Sequence, residues 1–419
     1  MNSGENQTTA LVPAEQSRLP VATPEKKEGY WGRISACYKR VSRVLLVASL
    51  LFVVLFMLLF SRVFTYDSLF SFFKDLQTVS SFIPSDYDTV YATYEKGDHT
   101  ALSYRGGVAF VNGGGVEIYS PNGRRLTDIA LDYEAPRAVA SRKYLIAYDQ
   151  GGKDFTVTNS YAALHMGKTD FAILGAAISD SGHFALITEA DRTNPEEGNI
   201  LSYVLLYDNN FNLIQEIKRV TATVGVSVSD NGKRLACFGA TAENGQVRAC
   251  LDVYRIGRSK EAEQSFVFDG EMPLSVGFTD NKNIVCLTDQ NLRCCEIDGD
   301  LDACIAIEGA LVGFKVDQNG ALLVIETDPV TATQRVLALE SSGETAYDGQ
   351  FIGDIAAVAM GDGELFLLSG ETVTRIDPDG NVSKAISVEA GATELFVVDD
   401  KQIRVIYPAK AIYVSFENS

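Results

Sequence analysis

The chain has 419 residues, 46 % of them hydrophobic, and 55 acidic against 36 basic side chains leave a net charge of −19. Such a length admits a large repeat domain as well as several small ones. So acidic a balance argues against a protein that tracks phosphate backbones, so no nucleic-acid partner is expected.

The charge is unevenly distributed. Residues 1–43 hold seven Lys/Arg against four Glu, a balance of +3, which leaves −22 for the rest of the chain. Residues 1–28 are rich in Gln, Thr, Pro, Glu and Lys and have too few apolar groups to offset chain entropy. A disordered basic tail over 1–42 follows, and its last stretch mixes Tyr30, Trp31 and Tyr38 with Arg33, Lys39 and Arg40, as an inner-leaflet lead-in would.

Between Arg43 and Arg62, Val44 to Phe60 is an uncharged apolar run. At ~1.5 Å per residue it covers ~26 Å of a hydrocarbon core ~30 Å thick, so a single transmembrane helix is expected over 43–62. Lys26, Lys27, Arg33, Lys39, Arg40 and Arg43 precede it, against Arg62 and Lys74 after it, which keeps the amino terminus cytoplasmic and exports the remainder. A cleaved signal peptide is disfavoured because Ser61-Arg62-Val63-Phe64 offers no small-x-small cleavage site. Over 63–86, Leu69, Phe72, Phe73, Leu76 and Val79 fall at helical spacing, predicting a short juxtamembrane amphipathic helix and a linker ending near Pro84.

From residue 87 to 419 the pattern is one of short apolar strands separated by Gly, Asn and Asp turns. A unit recurs: a strand of small apolar residues, a polar turn, then a bulkier strand. It is clearest from Ala177 and from Val226, with copies turning near Gly106, Lys143, Gly182, Gly232, Lys282, Gly320, Gly363 and Gln402. A second turn recurs between these anchors, as in Ser120-Pro121-Asn122-Gly123, Ser341-Ser342-Gly343 and Asp377-Pro378-Asp379-Gly380. Four strands in about 40 residues is the length of a β-propeller blade. The eight anchors predict an all-β, eight-bladed propeller, with seven blades as the alternative. The last unit lacks an outer strand, and the spare strand Asp88 to Tyr94 is placed to supply it, which leaves no long open edge.

The turns Ser179-Asp180-Ser181-Gly182 and Ser229-Asp230-Asn231-Gly232 resemble the blade repeat of WD40-like and Tol-system propellers. The whole layout, a basic tail, one span and an acidic propeller, resembles an uncharacterised family of single-span, membrane-anchored propeller proteins of Firmicutes. That resemblance implies architecture and assigns no catalytic residue.

Cys237 and Cys250 lie at equal distance from the hairpin turn around Glu243-Asn244, and Cys286 and Cys295 stand in the same relation across Gln290-Asn291. A Cys237–Cys250 disulfide is compatible with an exported domain, and buried free thiols are the alternative. The chain has three histidines, none in His-Glu-x-x-His, and neither Gly-x-Ser-x-Gly nor a P-loop occurs. No cofactor, metal or catalytic residue is therefore expected. Asp180, Asp230, Asp280 and Asp317 occupy equivalent turn positions and are the candidate channel or face residues. The reading is a non-catalytic, membrane-anchored, extracytoplasmic binding or scaffold module for an envelope protein or glycan. Its alternative is an envelope hydrolase or lyase with carboxylates gathered at the channel.

Overall fold

A computed structural model describes residues 38, 40–52, 90–94, 99–194, 198–258, 260–297, 301–361, 363–399 and 401–416. Residues 40–52 are helical and exposed, and 53–60 of the apolar run fall outside the described residues. Among the described residues no helix is long and apolar enough to cross a membrane. Of the expected disordered tail, residues 1–37 and 39 lie outside them, while 38 and 40–42 are helical, so the helix begins ahead of the expected boundary at 43; the juxtamembrane amphipathic helix also lies outside them.

The remaining chain forms eight four-stranded antiparallel sheets, and seven of them take four consecutive strands in order from inner to outer. Blades 1 to 7 cover 100–130, 136–168, 173–219, 222–269, 273–306, 310–352 and 357–387. Blade 8 runs Glu394–Val397, Gln402–Ile406, Lys410–Ser415 and then Val90–Thr93, so the chain's first strand completes its last sheet. The eight-bladed count and the closing role of the spare strand are thus both found.

Sequence explains each layer. In the second strand Phe184–Glu189 every residue but the terminal Glu189 is buried, because a middle strand has a neighbouring blade against both faces. The cores straddle blade boundaries. Ala185, Ile187, Val204 and Leu206 of blade 3 pack on Val226, Leu235 and Cys237 of blade 4. Inner strands are built of small residues because they converge. A Cβ on Gly225 would lie 3.2 Å from Val276 of the next inner strand, and one on Gly277 would lie 3.0 Å from Val316 of the one after. Outer strands alternate, and Leu213–Arg219 carries Glu216 and Lys218 along a sheet edge, which discourages edge pairing.

The closing strand adds three ladder pairs, Val90 with Ile412, Ala92 with Ala411 and Thr93 with Lys410, across a bulge. Side chains do much of the holding. Tyr91 is 4 % exposed, donates its hydroxyl to the Ser120 carbonyl of blade 1, and stacks edge-on to Tyr413 at 5.1 Å. Arg404 is wholly buried, lies 4.7 Å from the Tyr91 ring and 5.2 Å from that of Tyr413, and donates to the carbonyls of Gly106 and Pro121. The seam between blades 8 and 1 is therefore fastened by a buried cation held on two aromatic rings and two carbonyls.

The hairpin register corrects the expected cysteine pairing. Asn244 (φ 53°) and Gly245 (φ 80°) form the turn, with both residues in the left-handed region that a two-residue type I′ hairpin requires. The centre is thus one residue later than expected, so Cys237 faces Asp252 and Cys250 faces Gly239. Likewise Cys286 faces Arg293, and Cys295 faces Ile284. All four are free thiols.

Candidate functional site at the channel mouth

The turns between inner and second strands and those between third and outer strands emerge on one face of the ring, here called the turn face. In blades 2 to 5 the frame of the turn between inner and second strands is a buried hydroxyl, that of Ser141, Ser179, Ser229 or Thr279. The amide of Ser179 donates to the His183 carbonyl at 2.9 Å, and its hydroxyl donates to the same carbonyl at 3.1 Å. In the next blade the Ser229 amide and hydroxyl both donate to the Arg234 carbonyl, at 3.0 and 3.2 Å. The residue after each serine is lifted to the rim. It is Asp180 in blade 3, Asp230 in blade 4 and, after Thr279, Asp280 in blade 5.

Blade 2 breaks the pattern. After Ser141 it has Arg142, whose backbone N–H donates to Asp180 Oδ1 at 2.8 Å, whose Nε reaches Asp180 Oδ2 at 2.6 Å, and whose Nη2 reaches Asp230 Oδ2 at 3.1 Å. One guanidinium thus joins three blades. Further links extend the arc. The Tyr104 hydroxyl of blade 1 donates to the Lys143 carbonyl at 2.6 Å. The Asn231 amide donates to Asn281 at 3.0 Å, and the Thr279 hydroxyl donates to the Ser341 carbonyl of blade 6 at 2.7 Å. With Arg404 joining blade 8 to blade 1, the rim from blade 8 round to blade 6 is one hydrogen-bonded arc.

Of the four expected aspartates, Asp180 and Asp230 meet at Arg142. The other two serve their own turns. Asp280 accepts from the amides of Lys282 and Asn283 at 2.5 and 2.6 Å, while Asp317 accepts from the Asn319 amide at 2.8 Å and pairs with Lys315 at 3.1 Å. Their backbone bonds make them turn caps. Asp230 is held above the usual carboxylate range by its burial and by the charge of Asp180, with Arg142 pulling the other way. His183 is shifted below the usual imidazole range by burial, and its Nδ1 lies 2.9 Å from the Ser181 hydroxyl.

Inside the arc is a recess of about 390 Å³ lined by Arg142, Asp230, Thr279, Gln318, Asn319, Glu340 and Ser341, from blades 2, 4, 5 and 6. Its lining is polar: a guanidinium, two carboxylates, two carboxamides and two hydroxyls. It can orient a small polar group through several directed hydrogen bonds. Among the described residues no group of three His, Cys, Asp or Glu side chains is placed to hold a metal ion. The sequence reading missed Arg142. The available signal was that it stands at the aspartate position of the repeat, and it is this exception that makes the rim a network rather than a ring of like charges.

The model of a family described as of unknown function, DUF5711, matches residues 85–414. The chain belongs to that family. The matched range covers the whole propeller, so DUF5711 is, in this member, an eight-bladed ring. No match is found among curated proteins. Among solved structures, this DUF5711 chain is similar to a crystal structure of the eukaryotic initiation factor, with 12 % identity, 79 % of this chain and 85 % of that one covered, and a TM-score of 0.52. It is also similar to BamB from Moraxella catarrhalis, at 10 % identity, 76 % and 99 % coverage and a TM-score of 0.48. For apo AztD from Citrobacter koseri the values are 11 %, 70 % and 86 %, and 0.46. At 12 % identity the likeness to the initiation factor speaks to fold alone.

Proposed function

We propose that this protein is a membrane-tethered, non-catalytic binding module whose turn face holds an envelope protein or glycan outside the cell. The observation that carries the reading is the recess, whose lining side chains come from four separate blades on a rim cross-linked from blade 8 to blade 6. Such a surface is preorganised, so little ordering entropy is lost when a ligand docks. The tether rests on the apolar run Val44 to Phe60 and the basic residues before it.

A second reading, an envelope hydrolase or lyase, is favoured by Asp180 and Asp230 meeting at one site. Paired carboxylates about 5–9 Å apart are what glycoside hydrolysis uses. Against it, the Arg142 guanidinium bonds to both carboxylates and occupies the space where a scissile bond would have to lie. That arrangement serves cohesion of the rim.

The test is crosslinking on intact cells with the wild-type protein and with Asn319→Trp, which fills the recess from an exposed turn. The expected result is one stoichiometric partner, depleted in the variant. Turnover of envelope glycans by the purified protein, abolished by Asp230→Asn, would overturn the reading in favour of the enzyme.

A further inference from the structure

The recess on the turn face offers more hydrogen-bond acceptors than donors. Arg142 is its one cation, and that residue is largely committed: its backbone N–H and Nε serve Asp180, and Nη2 serves Asp230 Oδ2 at 3.1 Å, leaving Nη1. The Thr279 hydroxyl donates to the Ser341 carbonyl. Against these stand Asp230 Oδ1, the Glu340 carboxylate and the carboxamide oxygens of Gln318 and Asn319, none of which accepts a hydrogen bond among the described residues. An anion entering here would have to take Arg142 from the carboxylates it already holds and leave them unpaired.

Net charge alone does not choose the ligand. The lining holds one cation against two carboxylates, Asp180, bound to Arg142, adds a third, and from outside Lys143 bears on Asp230 and Arg105 on Asp180. Asp230 is nevertheless short of positive charge, because burial and Asp180 outweigh Arg142 and Lys143 and hold its carboxyl above the usual range. A further positive donor at Oδ1 is therefore favourable. A primary ammonium supplies that charge with three donors and no acceptor. What carries the ammonium follows from the rest of the lining. All seven residues are polar, so no apolar wall covers the four-carbon stem of a lysyl side chain and no aromatic ring meets a quaternary ammonium. The two carboxamides and the Ser341 hydroxyl can both give and accept, which matches hydroxyls set beside an amine on a sugar ring.

We infer that the recess binds an amino sugar with a free, protonated amine, the ammonium held by Asp230 and Glu340 and the neighbouring hydroxyls by Gln318, Asn319 and Ser341. This rests on the reading of the recess as a binding site, and it names the class of glycan.

The experiment is calorimetric titration of the detergent-solubilised full chain with an oligomer of glucosamine, with its N-acetylated counterpart and with oligolysine of equal length, in buffer acidic enough to keep the amines protonated. The glucosamine oligomer is expected to bind. Acetylation removes the charge and two of the three donors, so the N-acetylated oligomer is expected to bind at least tenfold more weakly, as is oligolysine. Glu340→Gln is expected to weaken glucosamine binding about tenfold, whereas Glu344→Gln, an exposed carboxylate of the same turn outside the recess lining, leaves it unchanged. Absence of glucosamine binding would overturn the inference, as would equally tight binding of the N-acetylated oligomer or of oligolysine. An equal loss from Glu344→Gln would also overturn it, since that is general attraction to an acidic surface. Any of these with retained, Asn319-dependent partner capture sinks this inference alone and leaves the binding-module reading standing.

Discussion

Replacing Tyr91 tests whether the closing strand holds the ring together. In Tyr91→Ala a side chain that is 4 % exposed is lost. Burial of an aromatic side chain of ~150–200 Å² at ~25 cal/mol per Å² gives about 4–5 kcal/mol, within the range of about 3–5 seen for large aromatic truncations. The Arg404 guanidinium also loses one of its two rings, the nearer at 4.7 Å, which adds up to about 2 kcal/mol for a desolvated cation–π contact. Tyr91→Phe keeps both effects and loses one hydroxyl donor. The Ser120 carbonyl keeps the Gly123 amide at 3.0 Å, so no acceptor is orphaned and the cost is about 1 kcal/mol. Urea denaturation followed by far-UV circular dichroism should therefore place Phe close to wild type and Ala about 4–7 kcal/mol lower, a large share of the roughly 5–15 kcal/mol that holds a typical domain folded. Equal midpoints for Ala and wild type would show that Val90–Thr93 does not fasten the ring.

Glu394 opens the inner strand of blade 8, and its burial raises its carboxyl above the usual range, with His99 and Lys315 partly offsetting this. A raised folded-state value means that its contribution is complete below the unfolded value of ~4.3 and is lost as pH rises through the folded one. Glu394→Gln should therefore be more thermostable than wild type at pH 7, with the gap closing towards pH 4; a gap constant with pH would refute this. Among the described residues the cysteines should alkylate in order of exposure. In native protein Cys304 is expected to react first, while Cys237, Cys286 and Cys295, all wholly buried, react only after unfolding. Peptide mass spectrometry that instead finds Cys237 joined to Cys250 would contradict the hairpin register. Arg142→Met removes the cation between Asp180 and Asp230, and the expected outcome is a loss of about 1–3 kcal/mol, partly recovered by adding Asp230→Asn in the same chain, as a double-mutant cycle would read.

The architecture was legible because it repeats. Eight copies of one strand–turn–strand unit overcome weak local signals, and the strand missing after Phe416 together with the spare one before Thr100 predicted how the ring closes. Register was not legible. An Asn-Gly pair one residue beyond the assumed centre shifts every partner by two, which parts Cys237 from Cys250 although both positions suit a strand. The rim was half legible, since Asp180, Asp230 and Asp280 share one repeat position that spacing can find, whereas Asp317, expected at the same position, ends its inner strand opposite Gly320. Nothing in spacing tells which of them cap their own turn and which reach a neighbour; that depends on Arg142 standing at the same position two blades away from Asp230. Arg404 lay beyond any sequence pattern, because a buried arginine on a strand acquires its meaning from Tyr91 and Pro121, some 300 residues distant.

The claim that the turn face is the working face can be tested by photocrosslinking. A photoreactive residue would be placed at Asn319, in the recess, and in a second protein at Val330, which is 91 % exposed in the turn between the second and third strands of blade 6, on the other face. Irradiation of intact cells is expected to yield a discrete adduct from position 319 and none from 330. An adduct from 330 with none from 319 would place function on the opposite face and contradict the account.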